Sequence, residues 1–215
     1  MSHDLKALYK VGGISFIVSG ILFLLRYALD LMAGPPPSSG MEILAWVASG
    51  KVVLSLANEV LFFAAVALVP GVVALYQSLA GIDRVKTVIG CGIIAVVIPV
   101  IAMLDIIHGR LVYPVYDIRM TAPAVAELVV ATFYGGLHAV GLLFGGATIV
   151  LSLAMKRGAY GANIAYLGFA TGVFDIIGAY PYAIGPSLGL ISQVVFAAWF
   201  AAVGWKLYKR ASNLV

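Results

Sequence analysis

The sequence predicts an all-α polytopic membrane protein, with six transmembrane helices in one bundle and both termini on the cytoplasmic side. Three observations predict this fold: an apolar composition, six long hydrophobic stretches, and an uneven distribution of lysine and arginine. Of the 215 residues, 63% are hydrophobic and 10% are charged, whereas a typical soluble domain has about 25% charged residues. A soluble fold of this length cannot bury so much apolar surface, so lipid is the expected solvent.

Each predicted span supplies the roughly 20 apolar residues that are needed to cross about 30 Å of hydrocarbon. The proline-rich segment 34–40 ends the first span, because no helix continues through such a cluster. A short interfacial helix over 42–49 is expected next, followed by a span that can kink at Pro70. The chain 1–215 is thus expected to form one transmembrane domain, with spans at 11–33, 52–80, 87–108, 124–155, 163–182 and 188–208.

The orientation follows from the basic residues, because cytoplasmic loops of membrane proteins carry an excess of lysine and arginine. One set of helix ends holds nine of them: Lys6, Lys10, Arg84, Lys86, Lys156, Arg157, Lys206, Lys209 and Arg210. The opposite loops hold only Arg110 and Arg119. The expected location is therefore a cytoplasmic membrane with both termini inside. The basic residues form no stripe with interleaved aromatic residues, so nucleic acid is not an expected partner.

Small residues at four-residue spacing let helix backbones approach closely in lipid. Such pairs occur on three of the predicted spans: Ser15 with Ser19, Gly141 with Gly145, and Gly168 with Gly172. They indicate either packing seams inside the bundle or faces through which the protein oligomerises.

Ionisable side chains inside the spans indicate a functional site, because a charge in hydrocarbon is costly and needs a partner. With a helical rise of 1.5 Å per residue, these side chains fall in one band in the outer half of the bundle, about 20 to 32 Å from its inner boundary. The predicted ligand- or cation-binding residues are Arg26, Asp30, Glu59, Asp105, His138 and Asp175. Four of them are carboxylates and one, Arg26, is a cation, so the band is expected to take up protons or to recruit a cation. This charge balance predicts an outward-facing polar cavity that binds a small ligand or cation, with proton-coupled transport as the leading function.

Two alternatives from other functional classes stay open. Asp105, His108 and His138 supply one carboxylate and two imidazoles, the ligands of a catalytic zinc site that keeps one position open for water. The protein would then be a metal-dependent intramembrane hydrolase with a divalent metal ion as its cofactor. In the second alternative the polar band only holds the helices in register, with Arg26 paired to Asp30 or Asp175, and the protein is a non-catalytic subunit. The chain has no phosphate-binding loop, nucleophile elbow, HExxH or CxxC motif, so the sequence favours a role other than catalysis.

Four apolar segments resemble an uncharacterised prokaryotic family of six-span membrane proteins, known only as a domain of unknown function. The segments are NEVLF at 58–62, VPGVVALY at 69–76, HAVGLLFGG at 138–146 and GWKLY at 204–208. The resemblance covers most of the chain and implies a six-helix membrane protein. It implies no activity and no site residues.

Overall fold

The computed structural model describes residues 2–156, 158 and 160–212, without the side chains of Ser2 and Tyr182. Arg157, one of the nine basic residues used to predict the orientation, lies outside the described residues. The described part of the chain contains seven helices and no named strand. They are α1 (Ser2–Ala33), α2 (Gly40–Ser49), α3 (Lys51–Leu79), α4 (Arg84–Val112), α5 (Pro123–Met155), α6 (Ala162–Gly178) and α7 (Pro181–Ser212).

Five of these helices are long and apolar enough to cross a membrane: α1, α3, α4, α5 and α7. An all-helical chain with five such helices is consistent with the predicted helical membrane protein, whereas the sixth span and the orientation of the termini stay predictions. The other two helices are shorter, with 10 residues in α2 and 17 in α6. At 1.5 Å per residue α6 is about 26 Å long, somewhat less than the hydrocarbon thickness of about 30 Å.

The largest difference from the predicted elements is at the end of α6. The sequence predicts a span over 163–182, but the helix ends at Gly178 and α7 begins at Pro181. Proline disfavours helical backbone at the residue before it, here Tyr180, which favours an end of the helix near this position. A second break follows inside α7, where Gly185 has a φ of 69° directly before Pro186. In contrast, the short helix predicted over 42–49 is present as α2, which begins after the N-cap Ser39.

The helices other than α2 form a closed ring: α1 packs on α3, α3 on α4, α4 on α5, α5 on α6, α6 on α7, and α7 back on α1. Phenylalanine side chains from α1, α5 and α7 meet inside this ring, mostly edge to face. They are Phe16, Phe23, Phe144, Phe196 and Phe200. This aromatic column fills the middle of the ring.

The two ends of the ring differ. At one end, here called the terminal end, Arg210 near the end of α7 lies over the ring of Tyr9 near the start of α1. The turns that follow α3 and α5 are at this end as well, because Arg210 also bonds Ser78 and Ser78 bonds Tyr160. The opposite end, here called the α2 end, is covered by α2, whose Ile43 and Val47 pack against the ends of α3, α4 and α5. Consecutive ring helices therefore run in alternating directions.

The small residues on α5 and α6 lie in packing seams within the chain. Gly172 of α6 faces Gly145 of α5, where a Cβ on Gly145 would lie 2.8 Å from the carbonyl oxygen of Gly172. Gly141 packs against Ala179 in the same seam. On α1, the hydroxyl of Ser19 donates to the carbonyl of Ala64 on α3 at 2.8 Å. These contacts confirm that small residues at four-residue spacing are used to bring the helices of one molecule together.

Candidate functional site

Polar side chains from three helices come together near the α2 end of the ring. We call this set the α2-end group. Its members are Arg26 and Asp30 of α1, Asn58 and Glu59 of α3, Asp105 and His108 of α4, and Tyr113, which directly follows α4. Each of these residues lies within or next to the first or last few turns of a helix. The group therefore lies beneath α2, which covers this end of the ring.

Arg26 is the buried cation of the group, with 5% of its surface exposed. Its guanidinium forms an ion pair with Asp30, one helical turn further along α1. The same guanidinium lies over the ring of Phe133 on α5, with its carbon 5.7 Å from the ring centroid. It is also close enough to Asp105 for the two charges to interact. Arg26 is thus held from two sides, while its Nε has no hydrogen-bond partner.

Asn58 and His108 form a buried pair between α3 and α4, each with 1% of its surface exposed. The Nδ1 atom of His108 lies 2.8 Å from the side-chain oxygen of Asn58. An amide oxygen can only accept a hydrogen bond, so Nδ1 carries the proton and Nε2 of the neutral ring holds a lone pair. The imidazole also stacks on Phe133, with 4.2 Å between ring centroids. Nε2 of His108 and Nδ2 of Asn58 are buried without a partner.

The carboxylates of Glu59 and Asp105 occupy different environments in the group. Glu59 is exposed, and its Oε1 lies 3.1 Å from the hydroxyl of Tyr113, which also contacts the carbonyl of Ser55 at 2.8 Å. Burial raises the pKa of Tyr113 to about 12, and the hydrogen bond to Glu59 contributes in the same direction. Asp105 is half-buried, and its Oδ1 is buried without a hydrogen-bond partner.

Apart from Arg26 Nη1, which is in the ion pair with Asp30, four buried atoms of the α2-end group lack a hydrogen-bond partner among the described residues: Arg26 Nε, Asn58 Nδ2, Asp105 Oδ1 and His108 Nε2. Buried polar atoms in proteins are nearly always paired, and each unpaired one costs about 1–3 kcal/mol. Arg26 Nε and Asn58 Nδ2 are donors. His108 Nε2 accepts a hydrogen bond when the imidazole is neutral, and Asp105 Oδ1 accepts one when the carboxyl group is ionised. The group can therefore bind a small species that both donates and accepts hydrogen bonds.

Two of the predicted site residues lie elsewhere. His138 of α5 donates from Nδ1 to the carbonyl of Ala179 at 2.7 Å and packs edge to face against Tyr180. Asp175 of α6 is buried in the seam between α6 and its neighbours, and no charged side chain of the described residues interacts with it. The single band that the sequence predicts is thus divided between the α2-end group and the end of α6.

The three predicted metal ligands are not brought together among the described residues. Asp105, His108 and His138 do not form a ligand set, since no three His, Cys, Asp or Glu side chains of the described residues are placed to hold a metal ion. The physical reason is the direction in which each imidazole is held. His108 is bonded to α3 through Asn58, whereas His138 is bonded to the end of α6 through Ala179.

Some residues of the site carry weaker sequence signals than the charged ones. Asn58 is adjacent to Glu59 in a span, and a buried amide in a span is a signal of the same kind as a buried charge. Phe133 contacts both Arg26 and His108, but nothing distinguishes it in sequence from other core phenylalanines. Glu127, which follows one turn after the start of α5, has a structural role: its Oε1 accepts from the backbone nitrogen of Gly40 at 2.6 Å and so anchors the start of α2.

A crevice of about 360 Å³ lies on the outside of the ring, away from the α2-end group. It is lined by apolar residues of α4 and α5: Val88, Ile89, Gly92, Ile93, Val96 and Leu143. This crevice is not the polar cavity predicted from the sequence, which stays a prediction.

The chain matches no family model, no curated protein and no solved structure. The resemblance of its apolar segments to a six-span family is therefore not supported by a family match, and the functional argument depends on the residues of the site.

Proposed function

We propose that this chain is an integral protein of the cytoplasmic membrane in which α1 and α3 to α7 cross the bilayer and both termini are cytoplasmic. The alternating directions of the ring helices support six crossings. The basic residues support the orientation, because they are concentrated at the terminal end, as expected for a cytoplasmic face. In this arrangement α6 is the shortest crossing, and the link 179–185 lies close to the outer membrane interface.

We further propose that the α2-end group binds a small polar ligand or cation from the outside, and that the protein transports it together with protons. The observation that carries this proposal is the set of four unpaired buried atoms on Arg26, Asn58, Asp105 and His108. Buried groups without partners are retained at a cost, and a bound species that pairs them removes that cost.

The charges in the group assign a role to each residue. Asp30 neutralises Arg26, so Asp105 and Glu59 are left as carboxylates that take up a proton or a cation. Glu59 is exposed and bonded to Tyr113, which makes it the first contact for a species that arrives from outside. Asp105 is the inner acceptor, next to the charge of Arg26. The aromatic column below them closes the route to the terminal end, so transport requires the ring helices to rearrange.

Proton flux in vesicles tests this proposal. The purified protein is reconstituted with a pH-sensitive dye inside, and Na⁺, methylammonium or glycine is added outside. We expect at least one of the three to drive a pH change that Asp105→Asn abolishes. Asp117→Asn is the matched control, because Asp117 is exposed in the loop after α4 and its φ of 60° suits asparagine.

The result also separates the alternatives. If none of the three solutes drives proton movement or binds to the wild-type protein, and Asp105→Asn changes only its thermal stability, the α2-end group is structural. The protein would then be better described as a non-catalytic membrane subunit.

A further inference from the structure

Asp175 is a buried carboxyl group without a partner. Only 6% of its surface is exposed, and its Oδ2 is buried with no hydrogen bond. It lies on the face of α6 that also carries Thr171 and Gly172, both buried. Thr171 bonds the carbonyl of Val195 on α7, and Gly172 meets Gly145 on α5. Asp175 therefore belongs to the seam where α5, α6 and α7 pack together.

Among the residues that the structure describes, no cation in the seam compensates a charge on Asp175. On α5, the helical turn nearest to Asp175 in the direction of the α2 end carries His138, whose Nδ1 donates to the carbonyl of Ala179. From the link after α6, Tyr180 packs on His138. The part of α7 that packs on α6 contributes Ser192 and Val195, and α7 has no charged residue between Gly185 and Trp205. Arg26 of the α2-end group interacts with Asp105 but not with Asp175.

The seam is also too tightly packed for a hydrated ion. A Cβ on Gly172 would lie 2.8 Å from the carbonyl oxygen of Gly145, and a Cβ on Gly178 would lie 2.5 Å from the hydroxyl of Ser192. A carboxylate that is buried without a counter-ion, hydrogen bonds or water is very costly, whereas the neutral acid is not. A proton needs no additional space, and it removes the charge.

We propose that Asp175 is a second proton-binding site, separate from the α2-end group, which holds its proton while α6 is packed against α5 and α7. Protonation adds one proton from water to the carboxylate, and release returns that proton to water. Because the anion must be hydrated, release requires the end of α6 to move away from the seam. The site depends on none of the residues that carry the proposed transport function.

A break near the start of α7 allows such a movement. Gly185 at this break is in the left-handed region, a conformation that glycine adopts without strain. Among the described residues, two hydrogen bonds hold the end of α6 to α7: Ser192 donates to the carbonyl of Phe174 at 2.9 Å, and Thr171 donates to the carbonyl of Val195 at 3.3 Å. One more holds it to α5, from His138 to the carbonyl of Ala179 at 2.7 Å. The end of α6 can therefore leave the seam with the loss of these three hydrogen bonds.

Infrared spectroscopy of the full chain in phosphatidylcholine vesicles tests the proposal. We expect the wild-type protein at neutral pH to show the carbonyl stretch of a protonated carboxylic acid. This band should be retained in Asp105→Asn, which removes any contribution of Asp105 from the α2-end group, and it should be lost when Asp175→Asn is added to that variant. If Asp175→Asn does not fold, Asp175→Glu should keep the band at a shifted frequency.

Hydrogen exchange measures the coupled movement. In the wild type, amides of 162–178 should exchange faster above the pH at which the band disappears, and in Asp175→Asn this dependence on pH should be lost. Absence of the band from the wild type at neutral pH overturns the proposal, and so does its persistence when Asp175→Asn is combined with Asp105→Asn. Exchange in 162–178 that is independent of pH while the band titrates overturns the coupling to movement. Proton flux driven by solutes is a separate measurement, so failure of either proposal is recognised without the other.

Discussion

Each end of the ring contains a cluster of buried polar side chains. In only one of the two clusters do all the buried polar atoms have hydrogen-bond partners among the described residues. At the terminal end, which holds Tyr9, Ser78, Tyr160 and Arg210, the hydroxyl of Ser78 lies 2.5 Å from that of Tyr160 and also bonds the carbonyl of Leu75 at 2.9 Å. Arg210 donates to the carbonyl of Ser78 at 3.2 Å and lies over the ring of Tyr9. None of these four side chains has a buried unpaired atom in the described part of the chain, whereas four members of the α2-end group do.

This difference indicates how each end is used. A satisfied polar group holds helices in place, and its hydrogen bonds are its contribution to stability. A group with unpaired donors and acceptors destabilises the fold until something binds to it. The terminal end therefore has the features of a stabilising contact between helices, and the α2 end has the features of a binding site. Four substitutions or titrations test that contrast.

The largest effect is expected at Arg26. Arg26→Met keeps most of the side-chain volume but leaves Asp30 and Asp105 without a cation, and breaking a buried ion pair in this way costs about 3 kcal/mol. The free energy of unfolding in detergent measures the loss, and Arg26→Lys, which keeps the charge, should recover part of it. A melting temperature of Arg26→Met equal to that of the wild type would show that the ion pair does not stabilise the α2 end.

The next largest effect concerns how α6 packs in the ring. This helix begins two residues after Tyr160, which belongs to the hydrogen-bonded cluster at the terminal end. In Gly168→Ala the added methyl group would collide with Ser152 and Trp199, and such overpacking costs about 1–3 kcal/mol. Gly146→Ala is the control, since its methyl group would enter open space and should change stability by about 0.5 kcal/mol or less. Equal destabilisation by both substitutions would contradict the packing of α6 described above.

A smaller effect on stability is expected among the hydrogen-bonded side chains at the terminal end. Tyr160→Phe removes one hydrogen bond to Ser78 and should cost about 1 kcal/mol, while leaving solute-driven proton flux unchanged. Tyr166→Phe on the exposed surface of α6 should have no measurable effect on stability. A loss of flux in Tyr160→Phe would assign the terminal end a part in transport and weaken the contrast between the two ends.

The smallest effect is a pH dependence from Tyr113. Its pKa is raised from 10.0 in the unfolded chain to about 12 in the folded protein, so above pH 10 the unfolded state binds fewer protons. The stabilisation is therefore fully present below pH 10 and is lost as the pH rises through 12. Stability curves of the wild type and Tyr113→Phe should differ in slope only in this window, and parallel curves there would contradict the environment described for the phenol.

The sequence predicted most of the fold because its main signals are local. Long apolar runs and the proline-rich segment 34–40 predict where helices begin and end without knowledge of their neighbours. The end of α6 was missed because the predicted span continued past Pro181, although the restriction that proline places on Tyr180 is itself local. The pair of Arg26 and Asp30 could be foreseen, since residues four apart on a helix are neighbours.

Apolar composition and the distribution of basic residues were enough to indicate a helical membrane protein, because transfer of side chains between water and lipid depends on each residue separately. Which buried polar residues share a site was decided only by the tertiary structure. Asp105 and His138 have similar depths when counted along their helices, yet one interacts electrostatically with Arg26 and the other bonds Ala179. Depth follows from position in the chain, but direction depends on how each helix is rotated and which helix packs beside it, and close packing of the whole ring determines both.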